Sequence, residues 1–367
     1  MTRHLLLLGG GHANIHLLEA LVHDPLPDIR VTLVSPYRMQ IYSGMLPGWI
    51  AGQYRLDECQ IPIEKLAMAA GAAFRCAHAY GIDADARCVR LRGGEIIDYD
   101  FLAVDIGSEV RTDAILCESE HVVPVRPAQR FVERYQRFTD ATDVASIAVV
   151  GGGMASAEIA CALRHALADR HEVTIFAGGK GLLPSSLHAL RDRILRALRA
   201  YRVKVVNEEV RRADDTGVET SVGNRFAASF VVLATGPQAP QVLHRSRGIA
   251  LDESGYLKVD STLRSLNHPE IFAAGDCTSL PSLKIKSGVY AVRQGPVLAH
   301  NVRAAMTHRR LQRFHPQRRT LYLVSTGARH AVGTWGPLSW EGDWVWKWKD
   351  RIDRRFVRRF SGSRGAG

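Results

Sequence analysis

The chain of 367 residues is too long for one ordinary domain and suits two or three, and 46% hydrophobic residues are enough for substantial cores. A formal net charge of +11 would suit an anionic partner, but no nucleic-acid-binding module stands in the sequence; nucleic acid is excluded and the charge reads as an arginine-rich surface. No apolar run is long enough to span a bilayer, and the leucines at 5–8 lead straight into glycines, so the expected location is cytoplasmic.

In chain order, an apolar strand at 5–8 meets Gly9-Gly10-Gly11, and a helical pattern follows through Ile15, Leu17, Leu18 and Leu21. A second strand at 31–34 completes a β-α-β unit. Residues 36–54 are irregular and rich in Gly, Pro and Ser. A helix is expected at about 62–71, strands near 75–82, 88–91 and 96–99, and a strand at 101–108 that contains Gly107. A linker at 124–127 and a helix at 128–139 lead to a second copy of the plan.

There, a strand at 147–150 runs into Gly151-Gly152-Gly153, a helix carries Ile159, Ala160, Leu163 and Leu167, and a strand follows at 173–176. A helix at 191–201 and strands at 203–207, 218–222 and 230–233 close at Gly236. Residues 270–277 form a third strand ending in Gly275-Asp276, with a helix at 288–307 behind it. In each glycine turn the first glycine lets the chain reverse, and the second lets the backbone approach a pyrophosphate at a helix N-terminus. Two such turns a domain apart imply two cofactors on one enzyme.

The six cysteines, Cys59, Cys76, Cys88, Cys117, Cys161 and Cys277, form no Cys-x-x-Cys pair, so neither a zinc site nor a local redox disulfide is expected, and no metal.

Taken together, the two turns, the 234–236 strand end and Ala274-Gly275-Asp276 resemble the pyridine nucleotide-disulfide oxidoreductase superfamily, in its type II NADH dehydrogenase and sulfide:quinone reductase branch. A narrower match, at residues 42–48 and 286–296, is to the flavoprotein subgroup fused to selenide, water dikinase. The resemblance implies an α/β fold of two Rossmann-like domains, the second inserted in the first. The expected parts are an FAD-binding domain at 1–123 resuming at 239–332, an NAD(P)-binding domain at 124–238, and a Trp/Arg-rich segment at 333–367. For FAD it implies Gly9, Gly11, His12, Ser35, Arg38, Gly44, Met45, Gly107, Asp276, Ser287, Gly288 and Val289. For NADH or NADPH it implies Gly151, Gly153, Ser156, Glu158, Lys180 and Gly236. The flavin carries the chemistry, with Lys286 as the one candidate catalytic side chain.

The sequence departs from that pattern in three places. Asn14 stands where a third glycine is usual, which loosens the argument for close helix–strand packing. Ser35 and Ala177 replace the acidic residue that usually binds a ribose, and Lys180 behind Ala177 favours a 2′-phosphate. His12 either donates a proton or packs beside the FAD pyrophosphate; Glu158 either faces the nicotinamide or points to solvent. With no cysteine pair at the flavin, the electron acceptor is expected to be a quinone or another small molecule.

Trp335, Trp340, Trp344, Trp346 and Trp348 crowd the C-terminal segment. In a helix at 343–360, Trp344, Trp348, Ile352, Phe356 and Phe360 recur on one face, with Lys347, Arg351, Arg354, Arg355, Arg358 and Arg359 around the rest. That pattern suits an anionic membrane surface, which adds a peripheral site on the inner face of the cell membrane to the expected locations. It suits equally a face docked on the protein's own core or on a second subunit as a homodimer. The leading function is an FAD-dependent NAD(P)H:acceptor oxidoreductase. The alternative is a flavin-binding accessory or redox-sensing protein acting with a partner enzyme, in selenium metabolism for instance.

Overall fold

A computed structural model of the chain describes residues 2–117, 119–141, 145–167, 171–283 and 286–362. Its main elements are β1 (Arg3–Leu8), α1 (His12–His23), β2 (Ile29–Ser35), β3 (Ala73–Cys76), β4 (Phe101–Val104), β5 (Val122–Pro124), α2 (Ala128–Ala141) and β6 (Ala145–Val150). They continue with α3 (Met154–Leu167), β7 (His171–Phe176), α4 (His188–Ala200), β8 (Lys204–Val206), β9 (Phe230–Leu233), β10 (Ile271–Ala273) and α5 (Gly288–Met306). The chain closes with β11 (Leu321–Ser325), β12 (Ala331–Trp335), β13 (Leu338–Gly342) and α6 (Asp343–Phe360).

Two parallel five-stranded sheets organise the molecule. The first has the order β10-β4-β1-β2-β3 and the second β5-β9-β6-β7-β8. The first sheet therefore takes strands from both sides of the second in sequence. Continuous apolar strands such as Leu5–Leu8 suit this role, since a parallel sheet is covered on both faces. Each sheet has its own core, one around Leu5–Leu8, Ile15 and Phe272, the other around Val149, Ile175 and Phe230. Helix α5 lies against α1 at Gly295, where a Cβ would stand 2.2 Å from the His16 ring.

Several details differ from expectation. The strand expected at 101–108 stops at Val104, so Asp105–Ser108 is irregular and leaves the sheet at the level of the glycine turn. The stretch near 75–82 is two strands: Ala73–Cys76 joins the first sheet, while Ala79–Asp83 starts an antiparallel sheet with Cys88–Leu91 and Ile96–Asp98. The antiparallel β11-β12-β13 sheet was not anticipated, because its alternation is interrupted by glycines; at Gly333 a Cβ would lie 2.4 Å from the Trp340 indole nitrogen.

Candidate functional site

The first glycine turn sits where β1, β4 and β10 end side by side. Gly9 has φ +90°, and a Cβ there would stand 2.2 Å from the Asp105 carbonyl oxygen, so only glycine fits. The Gly11 N–H donates to the same carbonyl at 3.1 Å. The Asp105 side chain turns back under α1, its Oδ2 accepting from the backbone N–H groups of Ala13 at 2.6 Å and Asn14 at 3.3 Å. Gly11, the residue before the helix, offers no capping side chain, so Asp105 serves as the cap from a neighbouring strand. Burial is the first cause that raises its carboxyl to about 7, against the two N–H groups that lower it. The His12 N–H has no protein acceptor among the described residues.

Asn14 corrects the expectation of looser packing. It is wholly buried, and its amide donates to the carbonyls of Leu8 at 3.3 Å, Gly9 at 2.8 Å and Ala103 at 3.2 Å. The side chain that breaks the glycine pattern thus ties helix, turn and sheet together. A glycine motif counts only the missing side chain and gives no sign of this knot.

The other residues expected at the first site take varied positions. Ser35 is buried at the end of β2, its hydroxyl accepting from the Tyr37 N–H at 3.4 Å. Arg38 lies at the outer edge, paired with Glu64 and over the Phe74 ring. Met45 is fully buried, and Gly44 follows Tyr42, whose ring a Gly44 Cβ would meet at 2.9 Å. Asp276 pairs with Arg126 at 3.1 Å, and Arg126 also donates to Ser108. Ser287 caps α5 by accepting from the Val289 N–H at 3.4 Å. Gly107 and Gly288 face open space. Behind the turn, Gln294 Oε1 accepts from the Gly275 N–H at 2.6 Å, while its Nε2 is buried with no partner among the described residues. Lys286, the candidate catalytic side chain, donates to the Thr278 carbonyl and lies 4.0 Å from the centre of the Tyr256 ring; burial lowers its pKa.

His12 packs rather than standing free. Its ring lies 5.3 Å from that of Tyr42 and 5.5 Å from that of Phe356, and its Nε2 is buried without a partner among the described residues. Burial holds its pKa down to about 4, which favours the neutral ring.

The second turn repeats the backbone. Gly151 has φ +140°, and a Cβ would stand 2.2 Å from the Ala234 carbonyl oxygen. A Gly152 Cβ would meet the carbonyls of Ala177 and Gly181, while Gly153 and Gly236 face open space. Ser156 is fully buried, and its hydroxyl has no partner among the described residues. Lys180 is exposed on the loop beside Gly152, and the side chain of Glu209 lies near Gly178 on that loop. Glu158 is partly buried and turned toward β11. Its carboxylate accepts from the Ser325 N–H at 2.8 Å, and burial, opposed by Lys349, raises it to about 7.

Helix α6 joins the two regions, and by a face the sequence reading missed. Lys349 is buried; it donates to the Gly44 carbonyl at 2.6 Å and to Asp353. Burial works against its charge, but Asp353 and then Glu158 outweigh that and hold it protonated. Burial, and then the Asp353 carboxylate, raise the pKa of Tyr42, and Trp346 donates to Gln53 at 2.9 Å. Arg354 pairs with Glu58 and Asp350, and Arg359 with Glu19 on α1. The expected apolar stripe divides. Phe356 and Phe360 pack on His12 and His16, whereas Trp344, Trp348 and Ile352 are 56%, 38% and 41% exposed. Lys347, Arg351, Arg355 and Arg358 are exposed beside them. The buried Lys349–Asp353 pair could have been found as an i, i+4 pair beside the Phe356–Phe360 end of the stripe.

All six cysteines are free thiols, and burial pushes those of Cys161 and Cys277 up to about 12. Among the described residues no group of His, Cys, Asp and Glu could hold a metal ion.

The profile of the family described as pyridine nucleotide-disulphide oxidoreductase matches residues 3–296. NADH dehydrogenase-like protein YutJ of Bacillus subtilis is 25% identical over 291 residues, covering 76% of this chain and 77% of its own. Ferroptosis suppressor protein 1 of Homo sapiens is 28% identical over 277 residues, covering 71% and 70%. Among solved structures, the sulfide:quinone oxidoreductase of Aquifex aeolicus superposes with a TM-score of 0.78 at 18% identity, over 98% of this chain and 91% of that one. NDH2 from Plasmodium falciparum in complex with NADH gives 0.76 at 14% identity, over 100% and 99%.

Proposed function

From the premise that the chain belongs to the pyridine nucleotide-disulphide oxidoreductase family, we propose that it is an FAD-dependent NAD(P)H:acceptor oxidoreductase whose acceptor is quinone-like. The observation that carries this reading is the pair of turns, each closed against a neighbouring strand end so tightly that no side chain fits at Gly9 or Gly151. The residues at the first turn fit FAD. Gly11 and the unengaged His12 N–H would take the pyrophosphate, with Ser35 and Arg38 toward the adenosine end. Asp276 would accept ribityl hydroxyls, beside the open faces of Gly107 and Gly288. Gly44, Met45, Ser287 and Val289 would line the isoalloxazine side, where the N-terminus of α5 favours negative charge. Lys286 stands near this wall as a positioning cation.

NADH or NADPH would bind at Gly151, Gly153 and Ser156, with Gly236 at the open face and Lys180 on the adenosine loop. Residues 1–123 and 239–332 would then hold the flavin and 124–238 the nicotinamide nucleotide, with α6 of the Trp/Arg-rich segment 333–367 against the flavin side through Lys349 and Gly44. A bound flavin supplies hydride acceptance and two-electron transfer; the chain supplies position and electrostatics. The buried thiols of Cys161 and Cys277 are poor nucleophiles, which supports an acceptor that needs no dithiol. The relatives' names as dehydrogenases support an enzyme over an accessory flavin binder. The narrower likeness to the subgroup fused to selenide, water dikinase is part of the same proposal.

The exposed Trp344, Trp348 and Ile352, with Trp335 and Leu338 also exposed, form an apolar surface with cations at its rim. It suits peripheral attachment to an anionic membrane, where a quinone would be met. No helix among the described residues is long and apolar enough to cross a membrane. Double-mixing stopped-flow tests the function: anaerobic NADH or NADPH should bleach the bound flavin within about a second, and a short-chain quinone should restore its colour. Flavin that neither nucleotide bleaches would overturn the reading.

A further inference from the structure

We propose that Asp105 makes the binding of FAD at the first turn conditional on uptake of one proton. The inference rests on the reading that this turn holds the flavin dinucleotide. Asp105 is buried and wedged between two glycines: a Cβ on Gly11 would lie 2.3 Å from its carboxylate, and one on Gly275 2.6 Å from its Oδ1. Its Oδ2 already occupies the N–H groups of Ala13 and Asn14, the same helix terminus that would attract a pyrophosphate. An ionised Asp105 and a pyrophosphate would then share one helix terminus in a setting where like charges repel strongly. A neutral carboxyl removes that repulsion and still accepts the two backbone hydrogen bonds. The unpartnered Nε2 of Gln294, whose Oε1 holds the Gly275 N–H, leaves a further buried donor behind the turn.

The surrounding titratable groups do not compete for the role. Asp276 is the carboxylate that acts on Asp105, and it is paired with Arg126. The Cys277 thiol is held up at about 12 and the His12 imidazole down at about 4, both far from neutrality. Lys286 lies on the Thr278 carbonyl beyond Cys277. Asp105, raised to about 7, is the group at this turn poised to change charge near neutral pH; Glu158, raised to the same value, lies on α3 against Ser325. The balance is one FAD and one proton bound together; no bond is made or broken.

The test is equilibrium binding of FAD to flavin-stripped protein, read by quenching of flavin fluorescence. Linkage requires the Kd to be level below about pH 7 and to rise about tenfold per pH unit above it. In Asp105→Asn, whose amide oxygen can still accept from α1, the Kd should be level across the range and lower than that of the unaltered protein at the alkaline end. Binding by the unaltered protein that does not change with pH would overturn the inference while leaving the flavin site standing. A slope that persists in Asp105→Asn would also overturn it, because another group would then take up the proton. Failure to bind FAD at every pH would instead overturn the proposed function. A level pH profile in the unaltered protein overturns the inference even if the variant does not fold.

Discussion

At the first turn the strand beside Gly9 is followed by Asp105, whose carboxylate caps the helix after the turn; at the second the matching strand is followed by Ala234, which carries no capping group. The third position of the motif differs in the same sense. Asn14 donates to three carbonyls, whereas Ser156 is buried with its hydroxyl unpartnered among the described residues. The first turn is therefore tied to the protein by side-chain hydrogen bonds from Asp105 and Asn14 that the second turn lacks among the described residues. This suits a resident cofactor at the first turn and a co-substrate that comes and goes at the second. Helix α6 binds the two regions together, with Lys349 on Gly44 at one side and Glu158 within its electrostatic reach at the other.

The largest effect is expected where the two regions meet. Lys349→Met leaves Asp353 buried without its cation and should cost about 3–5 kcal/mol, seen as an early thermal midpoint by flavin fluorescence. Replacing the pair together, as Lys349→Met with Asp353→Leu, should recover most of that loss. A single variant as stable as the unaltered chain would mean that α6 does not hold the site.

The third positions give the next contrast. Asn14→Leu strands buried carbonyls and should cost about 2–4 kcal/mol in urea unfolding, whereas Ser156→Ala should change stability by less than about 1 kcal/mol. Equal losses would erase the difference drawn between the turns.

Changing Trp344, Trp348 and Ile352 together to Ser should weaken binding to vesicles of anionic phospholipid by at least about tenfold, since each exposed side chain contributes on the order of 1.5–3 kcal/mol when buried in the interface. Binding unchanged by the triple substitution would assign this patch to another partner.

The smallest effect is a pH dependence. Burial, and then Arg359, depress the folded-state pKa of His16 to about 4. Its contribution to stability is therefore complete above the unfolded value of about 6.5 and is lost as pH falls through about 4. Asp105 and Glu158, both raised to about 7, act in the opposite sense, their contribution lost as pH rises through that value. Relative to the unaltered chain, the thermal midpoint of His16→Leu should thus be a few degrees more favourable at pH 5 than at pH 7.5. An identical offset at both pH values would remove His16 from the account.

The paired turns, both parallel sheets and the span of α6 were legible in the sequence because they rest on local periodicity and glycine spacing. The strand end at Val104 was not, since Ile106 resumes the apolar run after the single Asp105, and the turn of Asp105 toward α1 is visible only in the fold. The meaning of Asn14 was missed for a related reason: its three acceptors come from β1, the turn and β4, which meet only in the fold. In α6 the aromatic stripe drew attention to the exposed face. The docking face, carrying Val345, Trp346, Lys349, Asp353 and Val357, mixes charge with apolar residues and reads as surface until Gly44 and Tyr42 are in place.

The central claim is that the two turns hold different nucleotides, and the most direct measurement is the flavin content and anaerobic bleaching of Gly9→Ala beside Gly151→Ala, each checked for folding by circular dichroism. Both substitutions place a Cβ 2.2 Å from a backbone carbonyl, so both should disable their own turn. The account predicts that Gly9→Ala is purified without flavin, while Gly151→Ala carries one FAD per chain that neither NADH nor NADPH bleaches. Full flavin in Gly9→Ala, or normal bleaching in Gly151→Ala, would contradict it.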